Sequence, residues 1–208
     1  MSYVDLDILN YEDIRKRAND FLVSYHPNKS LPIPIEEIIE YQFGINIYPI
    51  PGLKRLLGEA EVEGFLSSDF TEIAVDQGVY EDFDTRYRFT LAHEIGHLVL
   101  HQEMYSQYKI DNYEGRLGFV REIPDESYYW FEWQAQSFAG LVLVPGDKLE
   151  AVVADNIELA RKAGVRLEGP DDSKWGYICE GVKKSFEVSS QVIDIRMYKD
   201  GLKHKYSG

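Results

Sequence analysis

Cysteine is nearly absent: Cys179 is the only one in 208 residues. Neither an internal disulfide nor a cysteine metal cluster can therefore form within the chain. The start, Met1-Ser2-Tyr3-Val4-Asp5, is polar and has no apolar signal core; with no disulfide to stabilise the fold, the expected compartment is a reducing cytoplasm. Long hydrophobic runs are missing as well. The greasiest stretch, Phe138 to Pro145, is far too short to span a bilayer. Positive charge is scarce, with 22 Lys and Arg against 36 Asp and Glu and a net charge of −14. Such an excess disfavours direct nucleic-acid binding by the chain as a whole. The charge is uneven, since residues Ser173 to Gly208 hold seven Lys/Arg against four Asp/Glu. Internal repeats, low-complexity tracts and long linkers are absent too.

What is present is an ordinary globular composition, rich in tyrosine at 15 residues, and long enough to bury a core without covalent staples. Residues from about Asn10 to Tyr25 have the apolar spacing of an amphipathic helix, with Ile14, Ala18, Phe21, Leu22 and Tyr25 on one side. A second helix is predicted over Ile35 to Tyr41, with Pro34 near its start and Gly44 after its end. Three β-rich runs follow, Ile45 to Ile50, Val62 to Ser67 and Thr71 to Val75. Strong helices are predicted for Asp84 to Gln102, Asp125 to Val144 and Asp147 to Ala163. Between the first two, Glu103 to Pro124 reads as a long irregular connection of the kind that often forms a lid or binding loop. After a turn at Gly169 to Asp172, two short helices are expected, Lys174 to Ser185 and Ser189 to Tyr198. The fold class is a mostly helical α+β core with a small three-stranded sheet and a short helical C-terminal appendage.

The chemistry sits in the Asp84–Gln102 helix, at His93-Glu94-Ile95-Gly96-His97. Histidines four apart leave one helix face, about 6 Å apart along the axis and about 40° apart in rotation, so both imidazoles can converge on one ion. Glu94 lies about 100° further round, beside that ion, where it can act as the general base towards water activated by the metal. Phe89, Leu91, Ala92, Ile95, Leu98, Val99 and Leu100 make the helix apolar on most sides. Ionisable groups buried in such a helix are costly unless something satisfies them, and a metal does so.

An open coordination position for water requires a third protein ligand. His101 continues the i, i+4 series but is displaced along the axis, so it reads as a core residue or a support to the ligands, or as an oxyanion donor. His26 and His204 are remote in sequence. Acidic candidates lie later, and among them Glu132 stands one turn before a small residue, Ala135. A small residue there lets two helices approach closely enough to bring the carboxylate to the metal. Glu122, Asp125 and Glu126 fit better as exposed acids around a helix start. Two His and one Glu suit Zn2+, with Mn2+ or Fe2+ as alternatives under cellular supply. An oxyanion donor is also needed; Tyr105, Tyr108, Tyr113, Tyr128, Tyr129 and His101 are all eligible by position.

The run Arg88-Phe89-Thr90-Leu91-Ala92-His93-Glu94-Ile95-Gly96-His97-Leu98-Val99-Leu100-His101, followed by Glu132-Trp133-Gln134-Ala135-Gln136-Ser137-Phe138-Ala139-Gly140-Leu141-Val142-Leu143-Val144-Pro145, closely resembles the ImmA/IrrE metallopeptidases. The upstream proline-rich helix, the small sheet and the Phe186-Glu187-Val188-Ser189…Arg196 segment fit the same layout. This resemblance implies a zincin core over residues 1–165 and a small helical subdomain and tail over 166–208. It implies metal binding by His93, His97 and Glu132, with Glu94 as general base. It further implies a protein substrate, a helix-turn-helix transcriptional repressor cleaved in a stress response or a mobile element. The alternative is a metal-containing regulatory protein that binds a repressor or antitoxin without cutting it. The C-terminal pair of short helices has a faint helix-turn-helix look, for which packing or substrate docking is the expected role.

Overall fold

The computed structural model describes residues 6–56, 63–107, 112–165 and 173–207. The first helix, α1 (Tyr11–Tyr25), begins at Asn10, whose side chain accepts from the backbone N–H groups of Glu12 and Asp13. This cap satisfies two of the donors left free at a helix start. Ile14, Ala18, Phe21 and Leu22 are buried along one stripe. A short α2 (Ile35–Glu37) widens into a π-helical turn over Ile38–Phe43, which stops at Gly44 in the left-handed conformation.

Strands β1 (Asn46–Ile50), β2 (Gly64–Leu66) and β3 (Glu72–Asp76) form one sheet in the order β1-β3-β2. β1 runs parallel to β3 and β2 antiparallel to it, with Phe65 opposite Ala74. β2 is therefore an edge strand, and it lies against the central helix. Short helices α3 (Leu53–Leu56) and α4 (Gln77–Asp82) flank the sheet; neither was expected from the sequence.

Two long helices form the centre, α5 (Asp84–Leu100) and α8 (Asp125–Leu143), with α6 (Gln102–Gln107) and α7 (Tyr113–Glu122) between them. The irregular connection predicted for Glu103 to Pro124 is thus corrected to two helices. Asn112 caps α7 by accepting from the Gly115 N–H. Phe119 and Ile123 are buried, while Leu117 and Val120 pack against the core. Gly115 and Gly118 obscured that pattern, because glycine lowers helix propensity without preventing burial of its neighbours.

α5 and α8 approach closely at a matched pair of small residues. A Cβ on Gly96 would lie 3.0 Å from the Ala135 carbonyl oxygen and 3.1 Å from its Cα. The spacing between the helices is therefore set by the absence of a side chain on one and the presence of only a methyl on the other. α1 packs over α8, with Phe21 edge-on to Phe138 at 5.7 Å.

Helices α9 (Gly146–Lys162), α10 (Ser173–Phe186), α11 (Ser190–Lys199) and α12 (Leu202–Ser207) complete the described chain. Arg196 is buried and ties α11 to the end of α8. Its Nη1 donates to the Gly140 carbonyl at 2.8 Å and also to the Val144 carbonyl. Both carbonyls lie at the C-terminal end of α8, where acceptors run short of intrahelical donors; Gly140 also accepts from the Val144 N–H. Arg196 Nη2 reaches Asp200 at 2.7 Å, and Asp200 in turn accepts from Arg15 at 2.8 Å. The Gly169–Asp172 turn, Val62 and the 165/166 boundary's C-terminal side lie outside the described residues. Among those described, no helix is long and apolar enough to cross a membrane.

Candidate metal centre

α5 presents His93 and His97 on one face, and α8 brings Glu132 against them. The two Nε2 atoms are 3.0 Å apart. Glu132 Oε2 is 3.1 Å from His93 Nε2, and its Oε1 is 3.9 Å from His97 Nε2. One ligand atom from each residue falls within 4.8 Å of the others, an arrangement that could hold a metal ion. Ligand atoms about 2.1 Å from a tetrahedral ion lie about 3.4 Å from one another, and the two distances from His93 Nε2, 3.0 Å to His97 Nε2 and 3.1 Å to Glu132 Oε2, are within a few tenths of an ångström of that value. Nitrogen and carboxylate oxygen donors suit a borderline divalent cation such as zinc.

Glu94 is buried and directed towards β2, where the Leu66 N–H donates to its Oε2 at 3.0 Å. Gly64 makes this docking feasible: a Cβ there would lie 2.8 Å from both the Ala74 carbonyl oxygen and Thr90 Cγ2. The edge strand can therefore press onto α5 only without a side chain at that position. His93, Glu94 and Glu132 share the wall of a cleft of about 310 Å³ with Gly64, Arg116 and Tyr128.

His101 does not line that cleft. Its Nδ1 sits 3.0 Å from His97 Nδ1, and Phe131 stacks on both rings, at 4.1 Å from His97 and 4.4 Å from His101. When His97 donates through Nδ1, its Nε2 lone pair faces the ligand triangle, the usual orientation for a metal-binding imidazole. Burial pushes His97 well below the ordinary histidine range, reinforced by the charge of His93, and takes His101 down to about 3. Both are thus held neutral, and the neutral ring is the ligand form.

Arg116 escaped the sequence reading, because it lies in the stretch taken as irregular. It is fully enclosed, and its Nη2 donates to Glu132 Oε1 at 2.7 Å. The guanidinium sits 5.4 Å from the Phe119 ring centroid and 5.9 Å from that of Phe131. Burial alone would raise the Glu132 carboxyl, but Arg116 and then His93 outweigh it and hold it well below the usual range. For His93 the balance is reversed: burial lowers it, while the hydrogen bond and charge of Glu132 raise it above the ordinary value. Glu94 is pushed up, chiefly by burial. The only signal that pointed to Arg116 was the Asn112 cap with the apolar spacing that follows it.

Of the oxyanion candidates, Tyr128 lines the cleft, and burial with the nearby charge of Glu132 pushes its hydroxyl up to about 12. Tyr105 is buried behind His97, 6.1 Å from its ring, and its hydroxyl has no hydrogen-bond partner among the described residues. Tyr129 is 59% exposed. Tyr108 and the Tyr113 side chain lie outside the described residues. Glu122, Asp125 and Glu126 are exposed and away from the triangle.

The family model of a peptidase family, described as the IrrE N-terminal-like domain, matches residues 80–198. The chain belongs to this family. The matched IrrE-like span contains both histidines, Glu94, Arg116 and Glu132, and extends through most of α11. A Mycobacterium tuberculosis transcriptional regulator shares the fold, with a TM-score of 0.53 at 15% identity. The superposition covers 89% of this chain and 46% of that one, so the chain spans about half the length of that regulator. None of the curated proteins compared with the chain matches it.

Proposed function

We propose that the chain is a metal-dependent endopeptidase that hydrolyses a peptide bond in a regulatory protein. The observation that carries this reading is the meeting of His93, His97 and Glu132 at a cleft that His93 and Glu132 line together with the buried carboxylate of Glu94. In this reading His93, His97 and Glu132 hold the ion, and zinc is the first choice for that donor set. A divalent ion held there supplies a Lewis acid that polarises the peptide carbonyl and acidifies water.

The chain's own groups do the rest. Glu94 accepts the proton from the attacking water and returns it to the departing amine nitrogen. Its Oε2 is fixed by the Leu66 N–H, which leaves the other oxygen for proton transfer. Burial makes the carboxylate more basic than it is in water. Tyr128, in the cleft wall, is suited to donate to the oxygen that becomes negative. His101 and Arg116 orient His97 and Glu132.

The substrate we assign is a helix-turn-helix repressor, which follows from the ImmA/IrrE resemblance. The test is incubation of the metal-loaded protein with the repressor encoded nearest to its gene, with and without chelator. Glu94→Gln is expected to keep the metal and lose cleavage. Full activity in that variant would remove Glu94 from the mechanism. An intact repressor that binds the loaded wild type would instead support a regulator acting without proteolysis.

A further inference from the structure

Beside the cleft lies a second depression of about 210 Å³, and Phe89 and Gln136 form a wall common to both. Its remaining apolar lining comes from Tyr11 on α1, Trp133 on α8, and Val192 and Ile195 on α11. Successive residues of α8 serve the two hollows, because Glu132 faces the cleft and Trp133 the depression. The volume is below the roughly 300–1,000 Å³ typical of a small-molecule pocket, and its scale suits a single side chain.

Two further observations mark this surface as a place of contact. Trp133, Trp130 and Tyr129 form an edge-to-face ladder along α8, with centroids 5.4 Å and 5.3 Å apart. Tyr129 is 59% and Ile195 49% exposed. Clustered, accessible Trp and Tyr are characteristic of the residues that dominate protein recognition. The attachment of α11 to α8 does not require this arrangement, since buried Arg196 makes it through the Gly140 and Val144 carbonyls. Lys199 closes the far end, its ammonium 5.3 Å from the Tyr11 ring centroid and 6.0 Å from that of Trp133.

We infer that this depression is the subsite for a bulky apolar side chain of the polypeptide whose scissile bond lies against His93 and Glu94. The inference rests on the peptidase reading and deepens it. The occupant is a substrate side chain because the hollow adjoins the cleft across the shared Phe89–Gln136 wall, so a chain bound across that wall places side chains on both sides of it. Selectivity would come from apolar burial against Trp133, Val192 and Ile195. α11 thereby becomes part of the substrate site.

The experiment uses the full-length, zinc-loaded protein on a randomised decapeptide library, with cleavage products read by mass spectrometry. The wild type is expected to enrich a large aliphatic or aromatic residue at one fixed distance from the cut. Ile195→Glu introduces charge at an exposed position, and Val192→Trp fills the hollow. Each is expected to reduce the preference for that residue over glycine by about 10-fold or more, the scale on which a hydrophobic pocket discriminates. Val23→Glu, an exposed position on α1 outside the hollow, should leave the preference as it is. Metal content and the unfolding midpoint of each variant establish that it is folded. Cleavage with an undiminished preference in both groove variants overturns the subsite and leaves the peptidase reading standing. Failure of the wild type to cut any peptide in the library overturns both.

Discussion

Replacing Arg116 by Met, which keeps an unbranched apolar stem and removes the charged guanidinium, measures what that group contributes to the site. In the metal-free protein the substitution leaves Glu132 with the histidines and the Tyr128 hydroxyl as partners. Arg116 is 2% exposed, and the side chain of Glu132 is 19% exposed, so solvent screens this pair only weakly. Breaking a buried pair on one side costs about 3–5 kcal/mol. Because His93 still contacts Glu132 at 3.1 Å, the lower end, about 3 kcal/mol, is the expected loss. For a chain of this size that corresponds to a fall in Tm of about 6–12 °C. The pH dependence supplies the sign. Glu132 is depressed in the folded wild type, so its ionised form contributes stability that is full above the unfolded carboxylate value and is lost as pH falls through the folded value. Without Arg116 the burial of Glu132 favours the neutral acid, and the carboxyl protonates at higher pH. The variant's deficit is therefore largest near neutrality and shrinks on acidification. Urea unfolding of chelated wild type and variant at pH 7 and pH 5 reads both quantities. A deficit under about 1 kcal/mol, the scale of an exposed pair, would refute the reasoning, as would an equal deficit at the two pH values.

The other predictions concern the metal and the approach of the two central helices. Loading with zinc at a free concentration of about 100 times Kd should stabilise the fold by about 2.7 kcal/mol, seen as a concentration-dependent rise in Tm; His93→Ala should abolish the rise, and a rise of equal size in that variant would count against the assigned ligands. Gly96→Val places methyl groups where the backbone of Ala135 already lies 3.0 Å from a Cβ. Overpacking of this kind costs about 1–3 kcal/mol. It should also weaken zinc binding, since Glu132 then moves away from the histidines; competition with a chromophoric chelator measures this, and unchanged affinity would show that the triangle does not depend on helix spacing.

Much of the chemistry was written into local sequence. The i, i+4 spacing of His93 and His97 puts both rings on one face of any helix that forms there, and the apolar neighbours make that helix buried. Helix starts and stops were equally legible, as at Asn10, Gly44 and Pro145, because caps and breakers act within a few residues. α6 and α7 were not legible. Gly115, Gly118 and the many tyrosines weaken the helical signal there, and burial of Phe119 and Ile123 against the rest of the chain supplies what propensity lacks.

The sequence by itself determined that His93, Glu94 and His97 stand together on one buried helix. A pattern confined to one helix turn is dictated by backbone geometry alone. Glu132 was already a candidate from its spacing to Ala135, but only the tertiary structure decided how the groups that lie far along the chain meet. It put Glu132 within 3.1 Å of His93 through the Gly96–Ala135 approach, and set Arg116 behind Glu132. It also turned the Leu66 N–H towards Glu94 and brought α11 to the side of the cleft. Those relations depend on which surfaces pack together, and packing is settled by the whole core rather than by any one segment.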